Sequence, residues 1–328
     1  MAVLVTGSGG FLGQAIVQEL LQSGHKVAAL VRASTRIGQL PWASHPAVRL
    51  IHSDLLELDL RSDPVGDINA VVHAAAAKSG SFAEQHRNTV ETTRHLLQTM
   101  SAAGVYRLVA ISSMSVYDTT ALAPYAVLDE ATPLEANPAA RDAYGQTKLL
   151  QESLIREFGR HPRSQVTILR PGIVYGRDNL WNAHLGVNLP ARFYLRIGRD
   201  APLPLIYVAN CAEAVRRALE QEEAIGATIN LVDDAQPTRG EFIARISALQ
   251  DPAPVILPFS WSALLQAARI ATFANNVLAG GRLRLPGVLV PERVCARYKP
   301  LRYSNARAKQ VLNWSPRFTL DAALKDCR

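Results

Sequence analysis

The sequence predicts an α/β protein: a doubly wound parallel sheet with a smaller, mostly C-terminal α/β lid. Three observations lead there. Short apolar runs rich in β-branched residues alternate with stretches of helical periodicity through the first half of the chain. A glycine-rich turn, Thr6-Gly7-Ser8-Gly9-Gly10-Phe11-Leu12-Gly13, joins the first apolar run to the first helical one. From Arg177 onward the alternation breaks.

Ala2-Val3-Leu4-Val5 has the length and branching of a buried strand. Leu12, Ile16 and Leu20 recur at helical spacing, and Ser23-Gly24 stops that helix. The glycines therefore occupy a strand-to-helix turn, where a dinucleotide site needs them. Gly7 permits the tight turn, Gly10 lets backbone approach a pyrophosphate, and Gly13 lets the helix pack hard on the strand. The free N–H groups of the helix start face the phosphates. The spacing is Gly-x-x-Gly-x-x-Gly, where the usual fingerprint is Gly-x-Gly-x-x-Gly. Gly7, Gly10, Phe11, Leu12 and Gly13 are the candidate phosphate-binding residues.

His25 to Arg32 is the second strand, short and buried. An acidic residue at the end of this strand holds the ribose hydroxyls in NAD-binding folds. Here Val31 and Arg32 stand there, with Ser34, Thr35 and Arg36 close by. A carboxylate would repel a 2′-phosphate, whereas a guanidinium binds one through paired hydrogen bonds. NADP is therefore expected, with Arg32 as its marker and NAD as the alternative. Val48 to Ile51 is the third strand, followed by Asp54-Leu55. Ala70 to His73 is the fourth, running into Ala74-Ala75-Ala76-Ala77, small residues that let a ligand lie against backbone. His73 precedes that turn and reads as structural. A helix follows from Asn88 to Met100, with Leu96, Leu97 and Met100 toward the sheet.

Arg107 to Ser113 is the fifth strand, and Ser113 at its carboxyl end is well placed for a ligand. After a loop rich in Pro, Ala and acids, Tyr144 and Lys148 lie four apart on one helix face. Gln165 to Arg170 is the sixth strand, leading into Arg170-Pro171-Gly172-Ile173-Val174-Tyr175-Gly176. Thr228 to Val232 is a further strand. Asn179 to His184 has the composition of a substrate loop, with a structural loop as the alternative, and Trp261 to Leu278 reads as an amphipathic helix. Beyond it stand Arg282, Arg284, Arg293, Arg297, Lys299 and Arg302.

These motifs resemble those of the extended short-chain dehydrogenase/reductase superfamily, which includes NAD(P)-dependent epimerases, dehydratases and reductases. The quoted matches are Thr-Gly-x-x-Gly-x-x-Gly, the Asp-Leu pair and the His-x-Ala-Ala run. They continue with Asn88 and Thr92, Ser113 three places before Val116-Tyr117, Tyr144-x-x-x-Lys148 and Arg-Pro-x-x-x-Tyr-Gly. The resemblance implies a Rossmann fold. It puts Asp54 and Leu55 at the adenine, Ala74 and Ala75 along the cofactor, and Pro171 beside the nicotinamide. It makes Ser113, Tyr144 and Lys148 the catalytic set, Tyr144 and Lys148 also touching cofactor. A general acid/base needs a pKa near the working pH, and free tyrosine titrates near ~10. A cationic Lys148 is expected to lower that value.

The expected division is a dinucleotide-binding part over residues 1–176, rejoined by about 204–235, and a lid over 177–203 and 236–328. The implied reaction is hydride transfer between NADP(H) and a secondary alcohol or ketone, on a keto-sugar or steroid-like small molecule. The long apolar helix resembles the 3β-hydroxysteroid-dehydrogenase-like branch. The alternative is a nucleotide-sugar epimerase with retained cofactor, the lid arginines gripping a pyrophosphate. Met114 and Ser115 stand where 4,6-dehydratases of this kind carry an acidic pair.

Bulk properties narrow the field further. At 328 residues and 48% hydrophobic, the chain can bury a large core. Three cysteines, Cys211, Cys295 and Cys327, stand far apart, so a reducing cytoplasm is expected. The eight histidines form no ligand pattern, and no metal is expected. The opening apolar run ends in the glycine turn and reads as a strand, not a signal peptide. Trp261 to Ala279 is broken by Gln266, Arg269, Asn275 and Asn276, a poor membrane span. A net charge of +7 suits anionic small ligands, and no nucleic-acid motif accompanies it. A homodimer through the helices of Asn88 and Tyr144 is implied by the resemblance alone.

Overall fold

The computed structural model describes residues 1–61, 68–280, 282–283 and 285–327. In the first half the chain runs β1 (Ala2–Thr6), α1 (Phe11–Gln22), β2 (Lys26–Val31), β3 (Val48–His52), β4 (Ala70–His73), α2 (Phe82–His86), α3 (Thr92–Ala103) and β5 (Arg107–Ile111). Then come β6 (Val127–Leu128), α4 (Ala143–Phe158), β7 (Gln165–Pro171), β8 (Ile173–Tyr175), β9 (Gly186–Asn188), β10 (Phe193–Ile197), β11 (Leu205–Tyr207), α5 (Val208–Glu220) and β12 (Thr228–Leu231). The remainder is α6 (Arg239–Ser247), β13 (Val255–Phe259), α7 (Trp261–Ala279), α8 (Pro291–Tyr298), β14 (Arg302–Tyr303), α9 (Ala306–Leu312) and α10 (Leu320–Asp326).

Seven strands form one sheet in the order β12-β7-β5-β4-β1-β2-β3, parallel at every pairing. Val3, Leu4, Val5, Val71 and Leu108 are fully buried, because helices cover both faces and leave no wet side to alternate toward. On one face Ile16, Val17 and Leu20 of α1 pack with Val215 and Ala218 of α5, Leu312 of α9 and Trp314. On the other, Leu96, Leu97 and Met100 of α3 meet Ile155 of α4. Strand order reverses between β1 and β4, which opens a crevice at their carboxyl ends. The predicted doubly wound sheet is thus present.

The helix predicted to begin at Asn88 begins earlier. Ser81 and Glu84 form a reciprocal capping box that starts α2 at Phe82. A single π turn, Arg87–Glu91, then joins α2 to α3. Ser81-x-x-Glu84 was the legible signal; periodicity missed it because the π turn shifts the phase.

A smaller assembly lies beside the carboxyl edge of the sheet. β8 pairs with β11, and β9, β10 and β13 form a three-stranded sheet. Tyr175, Tyr207, Phe242, Ile246 and Leu324 make its main core. Ile197, Leu264, Leu265, Ala268, Val294 and Tyr298 make a second one between α7 and α8. Among the described residues, no helix is long and apolar enough to cross a membrane.

Candidate active site

The crevice is a cavity of about 1090 Å³ running from the glycine turn to the smaller assembly. At its first end Gly7 has φ +70°, and a Cβ there would come within 2.9 Å of the Ala74–Ala75 backbone. A Cβ at Gly13 would stand 1.9 Å from the Gly7 carbonyl oxygen, so only glycine lets α1 sit this close to β1. Ser8 is buried and donates to the Leu30 carbonyl at 2.7 Å, fixing the turn. Gly10, the N-cap of α1, supplies no side-chain cap. The first-turn N–H groups over Phe11, Leu12 and Gly13 are therefore left for the cavity these residues line. That arrangement fits a dinucleotide pyrophosphate.

Beyond the end of β2, Arg32, Ser34, Thr35 and Arg36 line the same cavity. Their loop is held by Thr35 N donating to the Arg32 carbonyl at 2.9 Å. Asp54 and Leu55 line it opposite, Asp54 Oδ1 accepting from Leu56 N at 2.9 Å. Ala74, Ala75 and Pro171 also line it. Among the described lining residues only Asp54 and Asp142 carry carboxylates, against eight lysines and arginines. The cavity is electropositive, as a polyphosphate ligand requires.

At the middle, Ser113 leaves β5 in an extended conformation, its hydroxyl accepting from Ser115 N at 3.1 Å. Asp142 caps α4 by accepting from Gly145 N at 2.9 Å, which sets Tyr144 in the first turn. Ser113 and Tyr144 line the cavity together, close enough for the Ser113 hydroxyl to act on the phenol. One turn on, Lys148 is buried and donates to the Ile111 carbonyl and to Gln151 Oε1, both at 2.8 Å. The three predicted residues are brought together.

Their titration departs from the expectation that Lys148 would lower Tyr144. Burial dominates and pushes the Tyr144 phenol up; the neighbouring Ser113 hydroxyl pulls it back, and Asp142 adds to the rise. Lys148 is itself perturbed: burial, then the neighbouring Lys78 cation, bring it down to about 7, Glu152 opposing. It is thus more easily neutralised than a free lysine, and its ammonium is turned toward the Ile111 carbonyl and Gln151. An anionic phosphate beside Lys148 would raise it again and keep it charged, whereas a cationic oxidised nicotinamide would act on Tyr144 directly by favouring the tyrosinate.

His73 is structural, as expected. It bridges Thr6 Oγ1 at 2.7 Å and Thr93 Oγ1 at 2.8 Å, with Gln151 Nε2 at 3.1 Å. Burial, then Lys148, lower its pKa to about 3, so it stays neutral. Asn88 and Thr92 line the cavity, Asn88 donating to the Glu84 carbonyl at 2.9 Å.

At the far end, Asn179, Asn182 and His184 line the cavity. Of the C-terminal basic residues named above, Arg293 and Arg297 of α8 line it; Arg282, Lys299 and Arg302 do not, and Arg284 lies outside the described residues. Arg297 pairs with Asp142 at 3.0 Å, and Arg293 donates to the Arg141 carbonyl at 3.2 Å. Lys299 is buried on the carbonyls of Thr119 and Thr120. Sequence reading missed Lys78, Arg141 and Arg239. Arg239 is 2% exposed and donates to the carbonyls of His184, Ile197 and Gly198 at 2.7, 2.7 and 2.9 Å. No local pattern reveals these, because each is defined by what the fold places opposite it.

Comparison with known proteins agrees with this geometry. The chain is 31% identical over 182 residues to UDP-glucose 4-epimerase of Erwinia amylovora, covering 52% of each chain. That match spans about half the length of the relative. It is 26% identical to 3 beta-hydroxysteroid dehydrogenase/Delta 5-->4-isomerase of Mycobacterium tuberculosis, over 99% of this chain and 89% of that one. In fold it is similar to the UDP-glucuronic acid 4-epimerase of Bacillus cereus solved with NAD, with a TM-score of 0.73 at 21% identity, over 99% of this chain and 97% of that one. Residues 3–231, more than half of the chain, match the family description itself. The chain belongs to the NAD dependent epimerase/dehydratase family, within the extended short-chain dehydrogenase/reductase superfamily.

Proposed function

We propose that the protein is an NADP(H)-dependent oxidoreductase that interconverts a secondary alcohol and a ketone. The observation that carries this reading is the placement of Ser113, Tyr144 and Lys148 in the same cavity as the glycine turn. A nicotinamide dinucleotide bound there would supply or accept the hydride. Tyr144 would move the hydroxyl proton, Ser113 would hold the substrate oxygen, and Lys148 would bind the ribose and favour the tyrosinate. Gly7, Gly10, Phe11, Leu12 and Gly13 would take the pyrophosphate, Asp54 and Leu55 the adenine, and Ala74, Ala75 and Pro171 the nicotinamide side. Arg32 beside Ser34, Thr35 and Arg36, with no carboxylate at the end of β2, supports NADP over NAD.

Substrate would enter from the lid, residues 177–203 and 236–328; residues 1–176 and about 204–235 would hold the cofactor. The lid arginines support a less polar substrate, since Arg239, Arg293 and Arg297 already hold carbonyls or Asp142. A keto-sugar or steroid-like ketone fits that description, and buried Cys211, Cys295 and Cys327 suit a reducing cytoplasm. The epimerase reading keeps one supporting observation: Arg239, Arg293 and Arg297 all line the cavity at the substrate end, where Asp142 is the one carboxylate among the described lining residues.

The test is to denature the purified protein, identify any released nucleotide, and titrate the intact protein with NADPH before screening ketones and keto-sugars. Reversible NADPH binding and ketone-dependent NADPH oxidation are expected. Stoichiometric, tightly held NAD with interconversion of nucleotide-sugars would replace this reading with the epimerase.

A further inference from the structure

We propose that the outer face of the lid, centred on α7, docks on an anionic lipid bilayer and lies in its surface. α7 is apolar on both sides. Leu264, Leu265 and Ala268 face the protein, packed with Val294, Cys295 and Tyr298 of the α8 segment. Ile270, Phe273, Val277 and Leu278, at spacings of three, seven and eight, are 67%, 69%, 63% and 84% exposed. Leu283 just beyond is 63% exposed, and Val255, Leu257 and Phe259 of β13, which runs into α7 through Ser260, are exposed as well. Most other large apolar side chains of the described residues are covered, so this clustering is not the ordinary scatter of surface leucines.

Charge identifies the occupant. Between Asp251 and Glu292 the sequence has no acidic residue and three arginines, 269, 282 and 284; between Asp178 and Asp200 it has none and three more, 192, 196 and 199. Arg269 and Arg282 are exposed. An apolar ridge bordered by arginine and free of carboxylate is the composition that settles at an anionic headgroup layer. A second copy is a poor occupant, since two such faces would oppose arginine to arginine with no acid between. α7 cannot span: Gln266, Arg269, Asn275 and Asn276 interrupt it, and its inner side is packed on α8. That same α8 lines the cavity with Arg293, Ala296 and Arg297, so the bilayer would lie one helix away from the substrate end.

The experiment is flotation of the full chain with vesicles of phosphatidylcholine alone or mixed with phosphatidylglycerol, at low and high salt. Co-flotation with the phosphatidylglycerol vesicles, weakening as salt rises, is expected. Phe273→Glu with Leu278→Glu should abolish it while the melting temperature stays close to that of the parent, because both side chains are exposed. Arg269→Gln with Arg282→Gln should weaken it by roughly tenfold or more. Any of three results overturns the proposal: no flotation with either vesicle, equal flotation with both, or a lipid-free dimer that Phe273→Glu dissociates.

Discussion

At the scale of single residues, Tyr144 and Lys148 show how far a motif can be read. Tyr-x-x-x-Lys names the helix face, and the structure puts both side chains in the cavity. What the motif did not contain is the state of the pair, because that depends on burial and on Lys78, which the end of β4 brings across from seventy positions away. Tyr144→Phe keeps the ring and removes the proton. Turnover should fall by roughly a thousandfold or more, with NADPH affinity changed by less than about threefold. Stopped-flow assays beside a fluorescence titration check it, and undiminished turnover would remove Tyr144 from the acid/base role. Arg32→Ala should weaken NADPH binding by roughly tenfold or more and leave NADH binding nearly unchanged, since only the 2′-phosphate needs the guanidinium. Parallel titrations with the two cofactors decide it; equal losses would reassign Arg32 to the loop.

At the scale of elements, the parts that the sequence located well are those with a strict local cause. β1, α1 and their turn follow from branching, period and glycine. Gly13→Ala would force a Cβ 1.9 Å from the Gly7 carbonyl, a backbone contact that cannot yield. It should push α1 off the sheet, lowering the melting temperature and cutting dinucleotide affinity together, by about 2 kcal/mol or more in stability. Thermal melts with and without NADPH measure both; a variant of parental stability would show that the close approach is not needed. The lid was less legible. β9, β10 and β13 are short and assembled from chain segments about sixty residues apart, and their pairing follows from tertiary packing. α7 was read only as amphipathic, and its outer apolar stripe shows when the fold leaves that side bare.

At the scale of the whole molecule, a buried polar centre ties the sheet to the catalytic helix. Ser112 at the end of β5 donates to Glu152 Oε2 of α4 at 2.6 Å; Arg170 of β7 holds both carboxylate oxygens, and Arg156 adds a further bond at 2.8 Å. The Arg170 guanidinium also lies 4.6 Å from the centre of the Tyr117 ring, and Tyr117 donates to Asn230 of β12 at 2.7 Å. The Arg-Pro motif announced Arg170 as a signature without its role, since its partner sits on another element. Burial pushes the Glu152 carboxyl up, but Arg170, Ser112 and Arg156 overcome it and hold it below its usual range. A carboxyl depressed in the folded state stabilises above its unfolded pKa and loses that contribution as pH falls through the folded value. Glu152→Ala leaves Arg170 buried without its counter-charge, and at pH 7 should cost about 3–5 kcal/mol. Glu152→Gln, which keeps part of the hydrogen bonding, should cost less. Because protonation removes the same charge, the penalty relative to the parent should hold from pH 7 down to the ordinary glutamate value of 4.5 and shrink below it, as the pH falls toward the depressed folded value. His73, driven down to about 3, loses its own contribution over the same range in parent and variant alike, and so cancels in the difference. Urea unfolding of the three proteins at several pH values measures this. A penalty constant with pH would mean that packing around Glu152, not its charge on Arg170, joins β5, β7 and α4.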